Sequence, residues 1–421
     1  MTTLALVSLV ITAAALFGWL SSRVLRLPIT IGTMLLTVLS SLVLIGLSHS
    51  DPGLQAWAQE FVGRIRFEDL ILHGMLGLLL FAGAFLLDLE YLAREKLTVG
   101  LLAVVGTVVS TGVLAALMHL VLPLAGVHAT WIECLFFGSL ISPTDPIAVL
   151  EMLHRVGVAK NIQAQLAGES LFNDGVGAVL FLAVLDASRG AAPSLSHIGG
   201  MLVLEAGGGL LLGVGLAFVT SRLMSMVEAY EIEILLTLSL ALGGYALGET
   251  LRVSAPLEAV AAGLALRHFN LRHHHTEINH ASLNRFWSAI DEVQNAVLFV
   301  LLGLEVLVVP FSRATFVTGA LAIVAVTAVR AGVVALILTG VRAIQRGHRT
   351  SLVTLIWGGL RGGLSIALAL SVPEGHGRNW ILGTTYLVVV FSIVAQGGTL
   401  DIFLKHLKTG ARTGGDSAAS A

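Results

Sequence analysis

The sequence predicts an all-α polytopic membrane protein with thirteen membrane-crossing helices. Three observations predict it. The 421 residues are 56% hydrophobic and only 12% charged, whereas a soluble domain carries about 25% charged residues. Apolar runs of about 20 residues, each long enough to cross a bilayer core, recur along the whole chain. These runs lack the strict alternation of barrel strands, and in lipid only helices and closed barrels satisfy every backbone group.

The spans are read at 4–22, 30–48, 70–90, 98–124, 131–153, 165–187, 197–220, 231–249, 255–266, 292–309, 314–341, 351–372 and 381–404, the ninth being short. The first lacks a basic leader and reads as a retained helix rather than a signal peptide. The loops are short, so residues 1–404 read as one membrane domain without a soluble insertion. Residues 405–421, rich in Gly, Ser and Ala, read as a short disordered cytoplasmic tail. Lys and Arg test the count. Sixteen lie in the loops after odd-numbered spans and in the tail, six in the other loops, and Arg330 and Arg361 lie inside spans. The positive-inside rule then puts the N-terminus outside and the C-terminus in the cytoplasm. With no targeting segment, a bacterial inner membrane is expected. The one cysteine, Cys134, excludes an intrachain disulfide. No basic cluster suggests nucleic acid, and no phosphate-cradling glycine loop suggests a nucleotide, so no cofactor is expected.

An odd count permits an inverted repeat. Spans 1–6 start outside and spans 8–13 inside, the arrangement of many secondary transporters, whose sequence pointer is a pair of interrupted spans at matching places. Span 5 carries Ser142-Pro143-Thr144-Asp145-Pro146, and span 12 carries Gly358-Gly359-Leu360-Arg361-Gly362-Gly363. Each is fifth in its half. Prolines remove backbone donors and clash with the preceding turn, and paired glycines weaken a helix. Two broken, crossing helices are therefore expected, their free backbone groups and dipole ends facing one site.

Ionisable residues inside spans cost roughly 2.5–3.5 kcal/mol each at the bilayer centre on insertion scales, and so point to function. Span 6 holds the densest group, Gly168-Glu169-Ser170-Leu171-Phe172-Asn173-Asp174-Gly175. Ser170 and Asp174, four apart, share one helix face. They offer a hydroxyl and a carboxylate, hard oxygen ligands for a small cation. Glu169 and Asn173 share the neighbouring face and suit holding the structure together. A hydroxyl bonded to its own helix is the plain alternative for Ser170. At the span 5 break, the Thr144 carbonyl or hydroxyl is placed to meet an ion, and Asp145 to cap the opposing half-helix. Arg361, in the span 12 break, needs a buried acid partner, and Glu169 is the candidate because Asp174 must stay free to titrate. Arg330 also needs one, with Asp145 and Glu305 both open. Asp88, at the end of span 3, is read as lining the cytoplasmic approach, the alternative being a solvated edge residue. His268, His273, His274, His275 and His280 are expected in one cytoplasmic loop, as a pH sensor, a metal binder or simply exposed polar residues.

Ser-Pro-Thr-Asp-Pro, Gly-Glu-Ser-x-x-Asn-Asp-Gly and Gly-Gly-Leu-Arg-Gly-Gly, in this order, together resemble the cation–proton antiporter superfamily, most closely its NhaP-type sodium/proton branch. Phe286-Trp287 and the stretch from Asn295 to Glu305 are similar to the same family. The resemblance implies a homodimer with a dimer domain and a moving core domain that contains the crossed helices. It implies that Asp174 carries Na⁺ or H⁺, that Ser170, the Thr144 backbone and an acid matching Asp88 complete the coordination, that Asn173 ties down the broken helices, and that Glu169 pairs with Arg361. With Asn173 where the electrogenic branch has Asp, it implies electroneutral exchange of one cation for one proton.

A carboxylate removed from water resists carrying a bare charge, and either a proton or a cation relieves it. The expected function is therefore secondary antiport of a monovalent cation, Na⁺ first, against H⁺, the two competing for Asp174 during alternating access. Its cellular role would be pH homeostasis. A K⁺/H⁺ antiporter of the same fold and an uncoupled cation channel are the alternatives. An intramembrane hydrolase using Ser170 would need a base, and His73, His119 and His154 all lie near span ends.

Overall fold

The computed structural model describes residues 3–48, 53, 63, 66–189, 195–227, 229–272, 277–309, 311–344 and 350–400. Every regular element among them is helical. Helix α1 (Thr3–Leu20) ends in a π-turn and reverses at Arg26 into α2 (Ile29–Ser48). The next helical run begins at Phe67, passes through a π stretch and becomes α3 (Leu76–Leu86). Then follow α4 (Leu89–Gly100), a π stretch, and α5 (Thr107–Val121). Helices α6 (Trp131–Ile141) and α7 (Ile147–Val156) are two halves of one interrupted helix. The long α8 (Lys160–Ser188), α9 (Leu195–Met224), α10 (Tyr230–Thr250), α11 (Ala255–Arg272), α12 (Glu277–Leu304) and α13 (Arg313–Ile344) come next. A second interrupted helix, α14 (Thr350–Trp357) and α15 (Gly363–Leu370), precedes α16 (Arg378–Val390).

Nine helical segments among the described residues are long and apolar enough to cross a membrane. The polarity is turned inside out relative to a soluble protein. Leu4, Leu211, Leu235 and Leu336 are exposed, while Glu169, Asn173, Arg330 and Arg361 are buried. This is a multi-pass membrane protein. Expected spans 5, 9, 10 and 12 are not among the nine, for two different reasons. Spans 5 and 12 are broken in the middle, while α11 carries charged residues near both ends and α12 is polar over more than half its length.

Two expected loops differ. The loop before span 4 is helical: α4 starts directly after Asp88, whose side chain caps it by accepting from the Glu90 N–H at 3.1 Å. The His-rich loop is also mostly helix. His268 lies on α11 and His280 on α12, while His273, His274 and His275 lie outside the described residues. Hydropathy marks only the apolar half of an amphipathic helix, so α12 starts fifteen residues before the expected 292. The tail from 405 also lies outside the described residues.

Two apolar clusters hold the bundle. One joins α2, α6, α12, α13, α15 and α16 around Phe136, Phe137, Phe299 and Tyr386. The other joins α3, α9, α10, α11 and the start of α12. Its centre is Trp287, fully buried, 4.7 Å from the Phe81 ring and donating its indole N–H to the Thr237 hydroxyl at 3.2 Å.

Candidate functional site

The two interrupted helices meet at their breaks. Pro143 and Pro146 end α6 and delay α7, because neither can donate a backbone hydrogen bond. The donors and acceptors left over find specific partners, as buried backbone groups must. Asp145 N–H donates to the Leu360 carbonyl at 2.9 Å, joining one break directly to the other. Arg361 N–H donates to the Ser392 hydroxyl at 2.9 Å. Thr144 N–H donates to Asn173 Oδ1 at 3.3 Å, and Asn173 Nδ2 donates to Thr144 Oγ1 at 2.9 Å.

Asp145 caps its own half-helix: Oδ1 accepts from the Ile147 N–H at 3.0 Å. Its expected capping of the opposing half-helix is not found, because its Oδ1 caps its own half-helix instead. The other carboxylate oxygen presses on Gly362, just before α15, but no side-chain bond caps that helix. A Cβ at Gly362 would overlap this oxygen, so glycine there is what lets the breaks close on each other.

The long α8 passes beside the crossing. Ser170 Oγ donates to the Thr144 carbonyl oxygen in a short contact, which leaves the hydroxyl lone pairs available. Ser170, Thr144 and Asp174 all line one cavity of about 920 Å³, together with Asp145 and Asp88. Asp174 is half-buried at its wall. The structure thus brings Asp174, Ser170 and Thr144 together. Asp88 stands farther out, exposed at the cavity wall, while Glu90 is exposed and pairs with Arg94 at 2.5 Å. Of the two acids, Asp88 faces the cavity.

The ion-pair assignments change. Glu169 pairs with Arg330, not Arg361. The guanidinium meets the carboxylate through both Nη atoms, Nη2 to Oε2 at 2.9 Å, and its Nε and Nη2 also donate to the Leu355 carbonyl at 3.2 and 2.9 Å. Arg330 therefore partners neither Asp145 nor Glu305. The reason is geometric. Arg330 projects from an unbroken helix and spans the gap between α8 and α14. Arg361 sits where the backbone is unwound, and its Nη1 donates to the carbonyls of Gly359 (2.5 Å) and Leu360 (3.3 Å), the latter shared with the Asp145 N–H, just beyond the end of α14. A cation at a helix C-terminus is favoured by the dipole.

Sequence reasoning missed Asp291 and Glu292, which line the same cavity from α12. They fell at the edge of the expected loop. The signal was present: Asp291, Asn295 and Leu298 follow helical spacing, and all three line the cavity.

Asn173→Ala tests the tie between α8 and the first break. It removes both hydrogen bonds to Thr144 and leaves the buried Thr144 N–H unpaired, at a cost on the order of 2–3 kcal/mol. A lower thermal unfolding midpoint in detergent is expected, with a smaller fall for Thr144→Val, which removes only the hydroxyl.

Comparison with known proteins fits this geometry. Residues 11–406 match the family described as sodium/hydrogen exchanger, transmembrane. The chain belongs to the sodium/hydrogen exchanger family. Among curated members, the Na⁺/H⁺ antiporter NhaP of Pseudomonas aeruginosa is 39% identical over 412 residues, covering 96% of this chain and 97% of that one. The Na⁺/H⁺ antiporter NhaH of Halobacillus aidingensis is 32% identical over 349 residues, covering 81% and 84%. The solved sodium proton antiporter MjNhaP1 of Methanocaldococcus jannaschii at pH 8 superposes with a TM-score of 0.72 at 20% identity, covering 94% of this chain and 96% of its own, and so shares the fold. Members of the sodium/hydrogen exchanger family are transporters rather than enzymes.

Proposed function

We propose that this chain is a Na⁺/H⁺ antiporter that exchanges one cation for one proton, the two competing for Asp174. The observation that carries the reading is the convergence of Asp174, Ser170 Oγ and the Thr144 carbonyl on one cavity, where two interrupted helices meet. Three oxygens of this kind suit a small monovalent cation, which the same carboxylate releases when a proton takes its place. Asn173, Glu169, Arg330, Arg361 and Asp145 support the site rather than carry charge across. Neutralised by either guest, the site crosses a low-dielectric barrier that the bare carboxylate cannot cross cheaply. That difference couples the two flows and suppresses leak.

The same reading takes residues 1–404 as one transporter domain of thirteen spans arranged as an inverted repeat, working as a homodimer. On this reading the N-terminus lies outside, the cavity walls at Ile29, Asp88, Gly157 and Lys160 lie on the cytoplasmic side, and the cavity opens inward. A K⁺/H⁺ antiporter would use the same parts with a different ion size. Proteoliposomes loaded with a pH dye test the proposal. Proton efflux is expected on adding Na⁺, with Li⁺ and K⁺ compared in turn, and its rate should not respond to an imposed voltage. Cation current without proton movement would instead mark a channel, and a voltage-dependent rate would end the one-for-one assignment.

A further inference from the structure

Away from the exchange cavity, one carboxylate stands out. Glu258, in the first turn of α11, is 0% exposed, and neither side-chain oxygen has a hydrogen-bond partner among the described residues. Gly244 of α10 lies against it so closely that a Cβ there would overlap the carboxylate. Glu258 lines neither the exchange cavity nor the small pocket beside Arg330 and Arg361.

The titratable groups of the elements packed around it offer no counter-charge. On α9, Glu205 is an acid, and only its backbone carbonyl engages this corner, accepting from the Ser254 N–H at 2.9 Å. On α10, the Tyr245 hydroxyl donates elsewhere, to the Leu72 carbonyl at 2.8 Å, and Glu249 lies 3.6 Å from His73, which in turn stands near Asp69. On α8, Asp174 belongs to the exchange cavity. Arg252, in the turn before α11, is exposed, and Arg267 farther along α11 bonds to Asn284 at 2.7 Å. An ionised carboxylate buried without a partner is strongly disfavoured, whereas a neutral acid fits this apolar, glycine-walled corner.

We propose that Glu258 is a second proton-binding site, occupied when α9, α10 and α11 are packed as in this structure. Its position gives the proton a consequence. One side of α11 seats the Glu258 carboxyl against Gly244, and the adjacent Leu257 packs on Gly175, the residue after Asp174. Loss of the proton puts a bare charge between α10 and α11, pushes them apart, and disturbs the wall next to the exchange carboxylate. Alkaline pH thus acts on transport through a group that touches no transported ion. This link to transport rests on the exchange reading above; the proton site itself does not.

Infrared difference spectroscopy between neutral and strongly alkaline pH, on purified protein saturated with Na⁺, reads the carbonyl band of a protonated carboxyl. Wild type is expected to show a band that Glu258→Gln lacks and Asp174→Asn keeps. Absence of such a band in wild type, or its persistence in Glu258→Gln, overturns the proposal. Glu258→Met checks folding independently of the spectra. A neutral, unpartnered acid should yield to methionine with little change in thermal midpoint, whereas a large fall would reveal an ionised group with a partner and overturn the proposal. In proteoliposomes, Glu258→Gln should move the alkaline limb of the pH–rate profile, and an unmoved limb overturns the link to transport. Because the infrared and stability measurements need no flux, their failure is distinguishable from failure of the exchange reading.

Discussion

Asp174→Asn is expected to reduce Na⁺-dependent proton flux in proteoliposomes to the level of empty vesicles, while the protein stays folded. This is the largest functional effect expected of any single substitution here. The amide is nearly isosteric with the carboxylate, and Asp174 is half-buried at a cavity wall rather than locked in the core, so the fold tolerates the change. On the proposed exchange reading, what disappears is the charge that both ions would neutralise. An amide neither takes up a proton in the working pH range nor draws a cation out of water, so on that reading neither ion would drive the other. Asp174→Glu keeps the charge but moves it by one methylene, and partial activity with weakened cation affinity is expected. Circular dichroism and size-exclusion profiles matching wild type, with flux retained in Asp174→Asn, would remove this carboxylate from the mechanism.

Glu169→Gln is expected to produce the largest loss of stability. Glu169 is 1% and Arg330 8% exposed, and their two-pronged pair is anchored to the Leu355 carbonyl of α14. Removing one partner of a buried pair leaves an uncompensated charge, at a cost of about 3–5 kcal/mol. A lowered thermal midpoint and poor recovery from detergent should follow. Arg330→Lys should be nearly as damaging, because a single ammonium cannot reproduce the fork that grips both oxygens and the carbonyl. The double variant Glu169→Gln/Arg330→Gln is expected to lose less than the sum of the two single changes, because it leaves no stranded charge. Additive losses would mean that the two residues act separately.

Much of this was legible in the sequence, for identifiable reasons. The breaks at Ser142–Pro146 and Gly358–Gly363 are written in proline and glycine, whose backbone effects are local and need no tertiary context. Ser170 and Asp174 share a face because helical spacing demands it. The pairing of Glu169 was not legible, since two buried arginines compete for it. The choice depends on where an unbroken helix and an unwound segment each aim a side chain, and on whether freed carbonyls claim one guanidinium first. The start of α12 was hidden because hydropathy detects lipid contact rather than helicity, and Asp291 and Glu292 were hidden with it. Glu258 was passed over because nothing in its neighbourhood along the chain says that Gly244 presses on it from another helix.

The bond from the Asp145 amide to the Leu360 carbonyl works like a rivet between two rods. Sliding one interrupted helix past the other would break it, so on the proposed exchange reading the bond favours moving the crossing as a single piece. On that reading, an ion seated beside the rivet would meet the same ligands wherever that piece stood in its stroke. The two faces of the membrane would then differ in which pool of water reaches the seat, and in little else.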